Sequence, residues 1–340
     1  MDAAGGIGVV GTGACVPERV VSNAEVAARC GVSAAWIEAR TGVRERHQAA
    51  GGEAASDLAA EAVRRAVKDA GISVEDVGLL VLATSTPDEL GPSTACRVQA
   101  LLGAERAVAF DVAAACTGWL FGARVAHDYL AADAVWREGA RYAVVVGVEV
   151  YSRFLNPSDR ATSVLFADGA AATVLGPSSG GFQPIWLGSD GNAAGDVLIP
   201  AGGSRRPASQ DTLAGLEHTV HMDGRAVRDF ILDIFDVAAG EALRRAGLQR
   251  SGVDLVVTHQ PNPALLRKAA ADAGFRDEQV VVTGDEVGNI GAASLPYALT
   301  RAVASGRVRP GGRLLLVGFG AGVTWGSTVL TWARDEEVVA

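Results

Sequence analysis

The sequence predicts an α/β fold built from two similar halves, each with a largely buried sheet that helices cover. Short apolar runs, typical of buried strands, alternate along the chain with segments in which apolar residues recur at helical spacing. The same pattern also occurs twice, because residues 70–81 resemble residues 246–257, and the strand–helix unit that begins at 108 resembles the one that begins at 281. A repeat of this length is too long for a solenoid, so it indicates a single duplication.

A run of proline, serine and glycine at residues 177–181 interrupts the pattern and marks the predicted boundary between the halves. We therefore expect an N-terminal half over residues 1–176 and a C-terminal half over residues 182–340. Within the first half, a helix is predicted to begin at Ser22, and the charged stretch 35–47, which carries one tryptophan, is predicted to be a loop. An amphipathic helix over 56–70 and a strand over Val77–Ala83 follow.

Residues 107–120 join a strand to a helix and contain the first candidate catalytic residue. The apolar run Ala107–Phe110 predicts a buried strand that Asp111 interrupts, and apolar residues at helical spacing begin after Cys116. A cysteine at a helix start lies near unpaired backbone N–H groups and the positive end of the helix dipole, which favour the thiolate. We expect this setting to bring its pKa below the usual value of about 8.5. Cys116 is therefore a candidate nucleophile.

Two further polar residues lie at element ends in the second half. His259 closes an apolar strand, and the prolines that follow it stop that strand. Asn289 lies in a glycine-rich loop that opens a helix, and it falls opposite Cys116 in the repeat. If the two halves pack about a pseudo-twofold axis, their equivalent helix starts meet at the centre. We expect Cys116, His259 and Asn289 to face one shared pocket.

A thiolate, an imidazole and a neutral amide support two chemistries. In acyl capture, the thiolate attacks a thioester while two backbone N–H groups hold the oxyanion. We expect these donors to be Cys116 itself and Ala321, which lies in a run of small residues. In decarboxylation of a malonyl group, His259 and Asn289 would donate to the enolate oxygen without a metal. A carboxylate in place of Asn289 would accept instead of donating.

Composition excludes several classes of protein. The chain of 340 residues has a net charge of −9 and no long basic run, which argues against a nucleic-acid partner. Its four cysteines follow no framework, and no signal-like N-terminus or membrane-length apolar run is found, so we expect a soluble cytoplasmic protein. Glycines near the N-terminus match G-x-G-x-x-G, but no helix follows them, so no dinucleotide site is expected.

The segments around the three candidate residues resemble the Cys-His-Asn motifs of β-ketoacyl-acyl-carrier-protein synthase III, a family of the thiolase superfamily. The motif segments are residues 111–118, 259–262 and 288–289. The similarity continues, in order, through residues 36–37, 40–47, 159–160, 166–170, 200–207 and 324–326. The resemblance implies a thiolase-like fold with duplicated halves in five α-β-α-β-α layers. It also implies a homodimer that condenses an acyl-CoA with malonyl-acyl carrier protein and needs no cofactor beyond the CoA thioester substrate.

The resemblance also assigns roles to individual residues. Cys116 would hold the acyl group, while His259 and Asn289 would stabilise the enolate. The residues expected to contact CoA and its pantetheine arm are Trp36, Arg40, Arg160, Gly224 and Asn262.

The chain departs from the family at two places that affect its substrates. Gly91 stands where relatives often carry a phenylalanine that reaches into the partner's acyl pocket, which Phe166 also lines, so we expect a roomier pocket and a longer or branched primer. Ala264 replaces an arginine used to dock the carrier protein. The remaining candidates for docking are Arg267, Lys268 and Arg228.

Three other functions stay open on the sequence. A relative of the condensing enzymes could pass an acyl group from Cys116 to a hydroxyl, amine or thiol without condensation. A cysteine hydrolase could use the same three groups. The cysteine could also be inert, in which case Cys116 would alkylate no faster than Cys15, Cys30 or Cys96.

Overall fold

The computed structural model describes residues 6–132 and 141–333. The strands among these residues are β1 (Gly6–Cys15), β2 (Arg19–Ser22), β3 (Glu45–Gln48), β4 (Val77–Ala83), β5 (Val108–Val112), β6 (Tyr142–Val150), β7 (Asp168–Ser178), β8 (Gly181–Phe182), β9 (Trp186–Ser189), β10 (Val197–Leu198), β11 (His221–Met222), β12 (Leu255–Thr258), β13 (Arg313–Gly320) and β14 (Thr324–Thr331). The α-helices are α1 (Asn23–Cys30), α2 (Ala34–Thr41), α3 (Ala55–Asp69), α4 (Thr94–Leu102), α5 (Gly118–Ala131), α6 (Gln210–Ala214), α7 (Gly224–Ala246), α8 (Pro263–Asp272), α9 (Gly284–Val287) and α10 (Ser294–Ala304).

The duplication in the sequence appears as two sheets with the same central arrangement. In the first sheet, of order β1-β7-β6-β4-β5, strand β4 runs parallel to β6, and β7 runs antiparallel to β6. In the second sheet, β12 runs parallel to β13, and β14 runs antiparallel to β13. The first sheet uses strands between residues 6 and 178 and the second uses strands between 181 and 331. The assignment of residues 1–176 and 182–340 as domains stays a prediction.

Helices α5 and α10 form the layer between the two sheets, because each contacts strands of both. Helix α3 packs on the outer side of the first sheet, and α7 packs on the outer side of the second. The core of the central layer includes fully buried Trp119 and Leu120 of α5, which belong to one cluster with Val81 of β4 and Leu316 of β13. Burying apolar side chains from both sheets against the same helices holds the halves together.

The strand before Cys116 is less buried than the sequence predicted. β5 is an edge strand, and Val108 is 53% exposed. An apolar run indicates a strand but not its place in the sheet, so the expectation of a buried strand was wrong. Asp111 does not interrupt β5 either. Its carboxylate accepts hydrogen bonds from the backbone N–H groups of Thr94 and Ala95, both at 2.8 Å, at the start of α4.

The stretch 35–47 is also not a loop. It contains most of α2 and the first residues of β3, and the Ser33 side chain caps α2 by accepting from the Trp36 N–H at 3.1 Å. Within α2 the charged residues are Glu38 and Arg40, which are exposed, while Ile37 is its fully buried apolar residue, so the helix has little apolar periodicity to reveal it. Ser22 does cap α1, as predicted, by accepting from the Glu25 N–H at 3.3 Å.

Within the described part of the chain, no helix has the length and apolar character needed to cross a bilayer. All four cysteines are free thiols.

Candidate active site

Cys116 lies in the tight turn that joins β5 to α5, and the turn is fixed against the second sheet. Gly320, at the end of β13, approaches it so closely that a β-carbon there would lie 2.9 Å from the Cys116 nitrogen. The Thr117 and Thr324 hydroxyls are 2.7 Å apart and hydrogen-bonded. The preceding Ala115 has a φ of 47°, a left-handed conformation that costs a residue with a β-carbon about 1 kcal/mol or more. The thiol is therefore held by both halves of the chain.

The thiol of Cys116 is not activated in the way the helix start suggested. Some solvent reaches the residue through a cavity, but protein atoms surround the sulfur, and this burial raises its pKa to about 12, with a smaller contribution from the Glu149 carboxylate. The expected pKa below the usual value was therefore wrong, because desolvation of the thiolate outweighs the nearby N–H groups. Slow alkylation of the free protein is consequently no sign that Cys116 is inert.

The raised pKa of the Cys116 thiol can be tested by alkylation. Because only the thiolate reacts, we expect the iodoacetamide rate constant of Cys116 to rise about tenfold per pH unit from about pH 7 to about pH 10 without levelling off. The measurement is peptide-resolved mass spectrometry over a series of pH values, with exposed Cys96 of the same protein as the internal reference. A plateau for Cys116 near pH 8.5 would contradict the raised pKa.

His259 follows β12 and is nearly fully buried. Its backbone N–H donates to the Val317 carbonyl at 3.0 Å, and its ring packs edge-to-face on Phe319 with 5.4 Å between centroids. Burial lowers the pKa of the imidazole to about 3. The ring is therefore neutral at ordinary pH, and a neutral imidazole carries one N–H donor. Its Nδ1 has no hydrogen-bond partner among the described residues.

Asn289 is held with its amide in one orientation. Gly288 before it has a φ of 76°, and a β-carbon there would lie 2.9 Å from Ala167 Cβ, so the position requires glycine. The Asn289 N–H donates to the Leu165 carbonyl at 2.8 Å. Its Oδ1 accepts from the Gly291 N–H at 3.0 Å, and since a backbone N–H can only donate, the atom facing it must be the oxygen. The Nδ2 group is left as the donor.

One cavity of about 980 Å³ brings most of the predicted residues together. Cys116, His259 and Asn289 line it, together with Ala321. The other predicted residues on its wall are Phe166, Trp36, Arg40, Arg160, Gly224, Asn262, Arg228 and Lys268. The lining does not include Gly91 or Arg267. Gly91 lies in an exposed loop, and a β-carbon there would meet nothing within 4 Å.

The exposed end of the cavity combines an aromatic ring with positive charge. Trp36 is 38% exposed there, and no ion pair to Arg40 or Arg160 is found in the described ranges. Asn262 uses its side-chain oxygen to cap α8, accepting from the Leu265 N–H at 3.0 Å. Such a rim suits a planar, anionic group, which can stack on the indole and pair with guanidinium groups.

The other cations near the cavity are neutralised in part by neighbouring carboxylates. Lys268 lies 2.8 Å from a carboxylate oxygen of Asp272, and Arg228 lies 3.4 Å from one of Asp229. Arg267 pairs with Asp277. The described residues contain no group of three or more His, Cys, Asp or Glu side chains that could hold a metal ion.

Sequence reasoning missed a polar cluster beside Cys116, formed by Ser85, Glu149 and Tyr151. Glu149 is fully buried at the end of β6, and burial raises its pKa to about 8. Ser85 and Tyr151 line the cavity with Cys116. One signal was available: a glutamate within the otherwise apolar run 142–150 is costly to bury and therefore needs partners.

Two family models match the chain. The model of 3-oxoacyl-[acyl-carrier-protein (ACP)] synthase III matches residues 110–191, and the model of the C-terminal part of that family matches residues 243–332. A β-ketoacyl-[acyl-carrier-protein] synthase III of Symbiobacterium thermophilum is 43% identical over 96% of this chain and 98% of its own length. The acetoacetyl CoA synthase NphT7 of Streptomyces sp. strain CL190 is 43% identical over 95% of this chain and 98% of its own.

Solved structures agree with the fold along nearly the whole chain. The 3-oxoacyl-(acyl carrier protein) synthase III, FabH, of Pseudomonas aeruginosa PAO1 has a TM-score of 0.85 and 38% identity, covering 97% of this chain and 99% of that one. The priming β-ketosynthase of the R1128 polyketide biosynthetic pathway has a TM-score of 0.87 and 32% identity, covering 98% of both chains. These structures confirm the predicted thiolase-like fold.

Proposed function

Because this chain belongs to the 3-oxoacyl-[acyl-carrier-protein] synthase III family of condensing transferases, we propose that it joins an acyl group taken from CoA to a malonyl group held on acyl carrier protein. One observation carries this proposal. A thiol, a neutral imidazole and an oriented carboxamide, from Cys116, His259 and Asn289, share one cavity whose rim suits a nucleotide. The reaction would prime fatty-acid or polyketide synthesis, as the names of the relatives suggest.

In the first half-reaction, the Cys116 sulfur attacks the carbonyl carbon of the acyl-CoA. A new carbon–sulfur bond forms, the bond to the CoA sulfur breaks, and the thiol proton leaves with CoA as its thiol. The oxyanion of the intermediate would be held by the N–H groups of Cys116 and Ala321, both on the cavity wall. The indole of Trp36 and the guanidinium groups of Arg40 and Arg160 would bind the nucleotide end of CoA.

In the second half-reaction, the malonyl group loses its carboxylate as carbon dioxide. The electron pair of the broken bond forms an enolate, whose carbon attacks the acyl carbon on Cys116. The carbon–sulfur bond then breaks, and the sulfur takes up a proton from solvent. His259 and Asn289 would donate N–H groups to the enolate oxygen. The low pKa of His259 is compatible with this role, because the neutral ring still carries one N–H donor.

The acyl pocket beyond Cys116 would be formed by the apolar cluster of Tyr151, Phe166 and Val220. We propose that two copies form a homodimer in which Gly91 of one copy lies at the acyl pocket of the other. Because glycine has no side chain, that pocket would admit a primer larger than acetyl. The unpaired edge of β5 supports a second copy, because an exposed strand edge is a ready site for pairing with another chain.

A second candidate differs in the carrier of the malonyl group. One relative is named an acetoacetyl CoA synthase, which gives a CoA thioester as its product. The three candidate docking cations, Arg228, Arg267 and Lys268, are each paired with a carboxylate, which weakens their attraction for an acidic carrier protein. Malonyl-CoA and malonyl-carrier protein should therefore be compared side by side.

One assay tests the proposed function. The protein is incubated with a panel of acyl-CoAs, and intact mass reports an acyl adduct, which Cys116→Ser should abolish. Either malonyl donor is then added, and carbon dioxide and the 3-oxoacyl product are measured. We expect an adduct followed by carbon dioxide release. An adduct that moves to a hydroxyl, amine or thiol acceptor without carbon dioxide would favour the acyltransferase alternative, and simple hydrolysis of the thioester would favour a hydrolase.

A further inference from the structure

Tyr151 is a buried residue of the cavity, and the proposed reaction uses only its ring, as part of the acyl-pocket wall, and not its hydroxyl. It follows β6 directly, is 5% exposed, and packs its ring on Phe166 with 4.8 Å between centroids. The same ring approaches Gly291, where a β-carbon would lie 2.8 Å from Tyr151 Cε2. The ring is therefore held between two elements, which leaves its hydroxyl with little freedom to move away from the cavity.

Tyr151, Ser85 and Cys116 line the same cavity, and the Tyr151 hydroxyl is near enough to the Cys116 thiol and the Ser85 side chain to affect the pKa of the thiol and its own. Ser85 is itself fixed, because its backbone N–H donates to both oxygens of Glu149, at 3.2 and 3.1 Å. Glu149 also accepts from the Thr86 hydroxyl at 2.8 Å. These bonds fix Ser85 on the cavity wall that it shares with Tyr151 and Cys116.

We propose that Tyr151 is a positioning residue for acyl transfer, whose hydroxyl donates a hydrogen bond to the Cys116 sulfur as that sulfur attacks the thioester. This inference rests on the proposed acyl capture at Cys116. The phenol keeps its own proton throughout, and the thiol proton still leaves with CoA. Burial raises the pKa of Tyr151 well above its ordinary value, so the hydroxyl stays protonated and available as a donor.

The role follows from the charges around the sulfur. Burial opposes a negative charge on Cys116, Glu149 adds to this when it is ionised, and His259 is too weak a base at ordinary pH to offset them. The Tyr151 hydroxyl favours the thiolate. The cations on the cavity wall, Arg40, Arg160, Arg228 and Lys268, belong to its exposed rim.

The test is Tyr151→Phe, which keeps the ring between Phe166 and Gly291 and removes only the hydroxyl. We expect the iodoacetamide rate constant of Cys116 to fall about tenfold to hundredfold at any one pH, because a hydrogen bond to a charged group is lost. The whole pH profile should move to higher pH by about one unit or more. Acylation from acyl-CoA, followed by rapid quench and intact mass, should slow by a similar factor.

Tyr142→Phe is the matched control, since it removes a hydroxyl from the other end of β6, the strand that Tyr151 follows, away from the cavity lining. It should leave alkylation and acylation unchanged. Ser85→Ala should give a smaller shift than Tyr151→Phe in the same direction, because it loosens the tyrosine without removing its hydroxyl. Thermal unfolding of each variant establishes that the fold is intact.

Alkylation needs no acyl-CoA, so it can be measured whether or not the proposed function is correct. Failure of the wild-type protein to form an acyl adduct would overturn the proposed function alone. A Tyr151→Phe profile that coincides with the wild-type profile would overturn the positioning role. If Tyr151→Phe changes the preference among primers but does not displace the pH profile of Cys116 alkylation, the positioning role is also overturned. Tyr151 would then be only part of the acyl-pocket wall.

Discussion

Asn289→Asp is expected to retain the acyl adduct on Cys116 and to lose decarboxylation of the malonyl group. The Asn289 oxygen already accepts from the Gly291 N–H, so an aspartate can keep that bond. Its second oxygen would then replace the Nδ2 donor with a negatively charged acceptor facing the enolate. Loss of one such donor typically slows a reaction by about 10²–10³-fold, and the added charge should place the variant at the upper end of this range.

The measurement is carbon dioxide release from malonyl-carrier protein, with the adduct followed by intact mass in the same samples. Asn156→Asp is the matched control. It makes the same chemical change outside the cavity lining, where the side-chain oxygen accepts from the Ser158 N–H at 3.0 Å and an aspartate can do the same. Carbon dioxide release that is unchanged in Asn289→Asp would remove Asn289 from the mechanism, and loss of the adduct would mean that it serves acylation instead.

Gly91→Phe is expected to narrow the range of primers toward acetyl-CoA. No neighbour in its own chain obstructs a side chain at this position, so the new ring should not disturb the fold of the protomer. In the proposed homodimer it would enter the partner's acyl pocket. We expect kcat/KM for branched or long primers to fall about tenfold to hundredfold, equivalent to about 1–3 kcal/mol of overpacking, while that for acetyl-CoA changes little.

The primer panel compares acetyl, branched, medium-chain and aromatic acyl-CoAs for wild-type and variant proteins. Gly191→Phe is the control, because it also adds a ring at an exposed glycine with open space around it. Sedimentation tests whether wild type and both variants are dimers. Wild-type turnover confined to acetyl-CoA would contradict the proposal of a roomier acyl pocket. A monomeric wild-type protein would contradict the proposal that Gly91 lies at the acyl pocket of a second copy.

Much of the fold was accessible from the sequence because its signals are local or repeated. The bounds of β4 follow directly from an unbroken apolar run between polar residues. The duplication could be recognised because residues 246–257, which include part of β12, resemble residues 70–81, which include part of β4, and the pairing of β12, β13 and β14 repeats that of β4, β6 and β7. Cys116, His259 and Asn289 each lie at or near the end of a predicted strand or the start of a predicted helix. Because the equivalent ends of two duplicated halves meet at the centre, this was enough to predict that the three residues share a cavity. Their catalytic roles stay predictions until the variants are measured.

The sequence by itself determined the alternation of strands and helices, the duplication and the chemical types of the three groups, since periodicity and self-similarity are properties of the chain. Only the tertiary structure decided the exposure of β5, the raised pKa of Cys116 and the meeting of Ser85, Glu149 and Tyr151 beside the sulfur. These properties depend on which strand takes the edge of a sheet and on how many atoms exclude water from a group. Residues distant in sequence supply both, so no local pattern reports them.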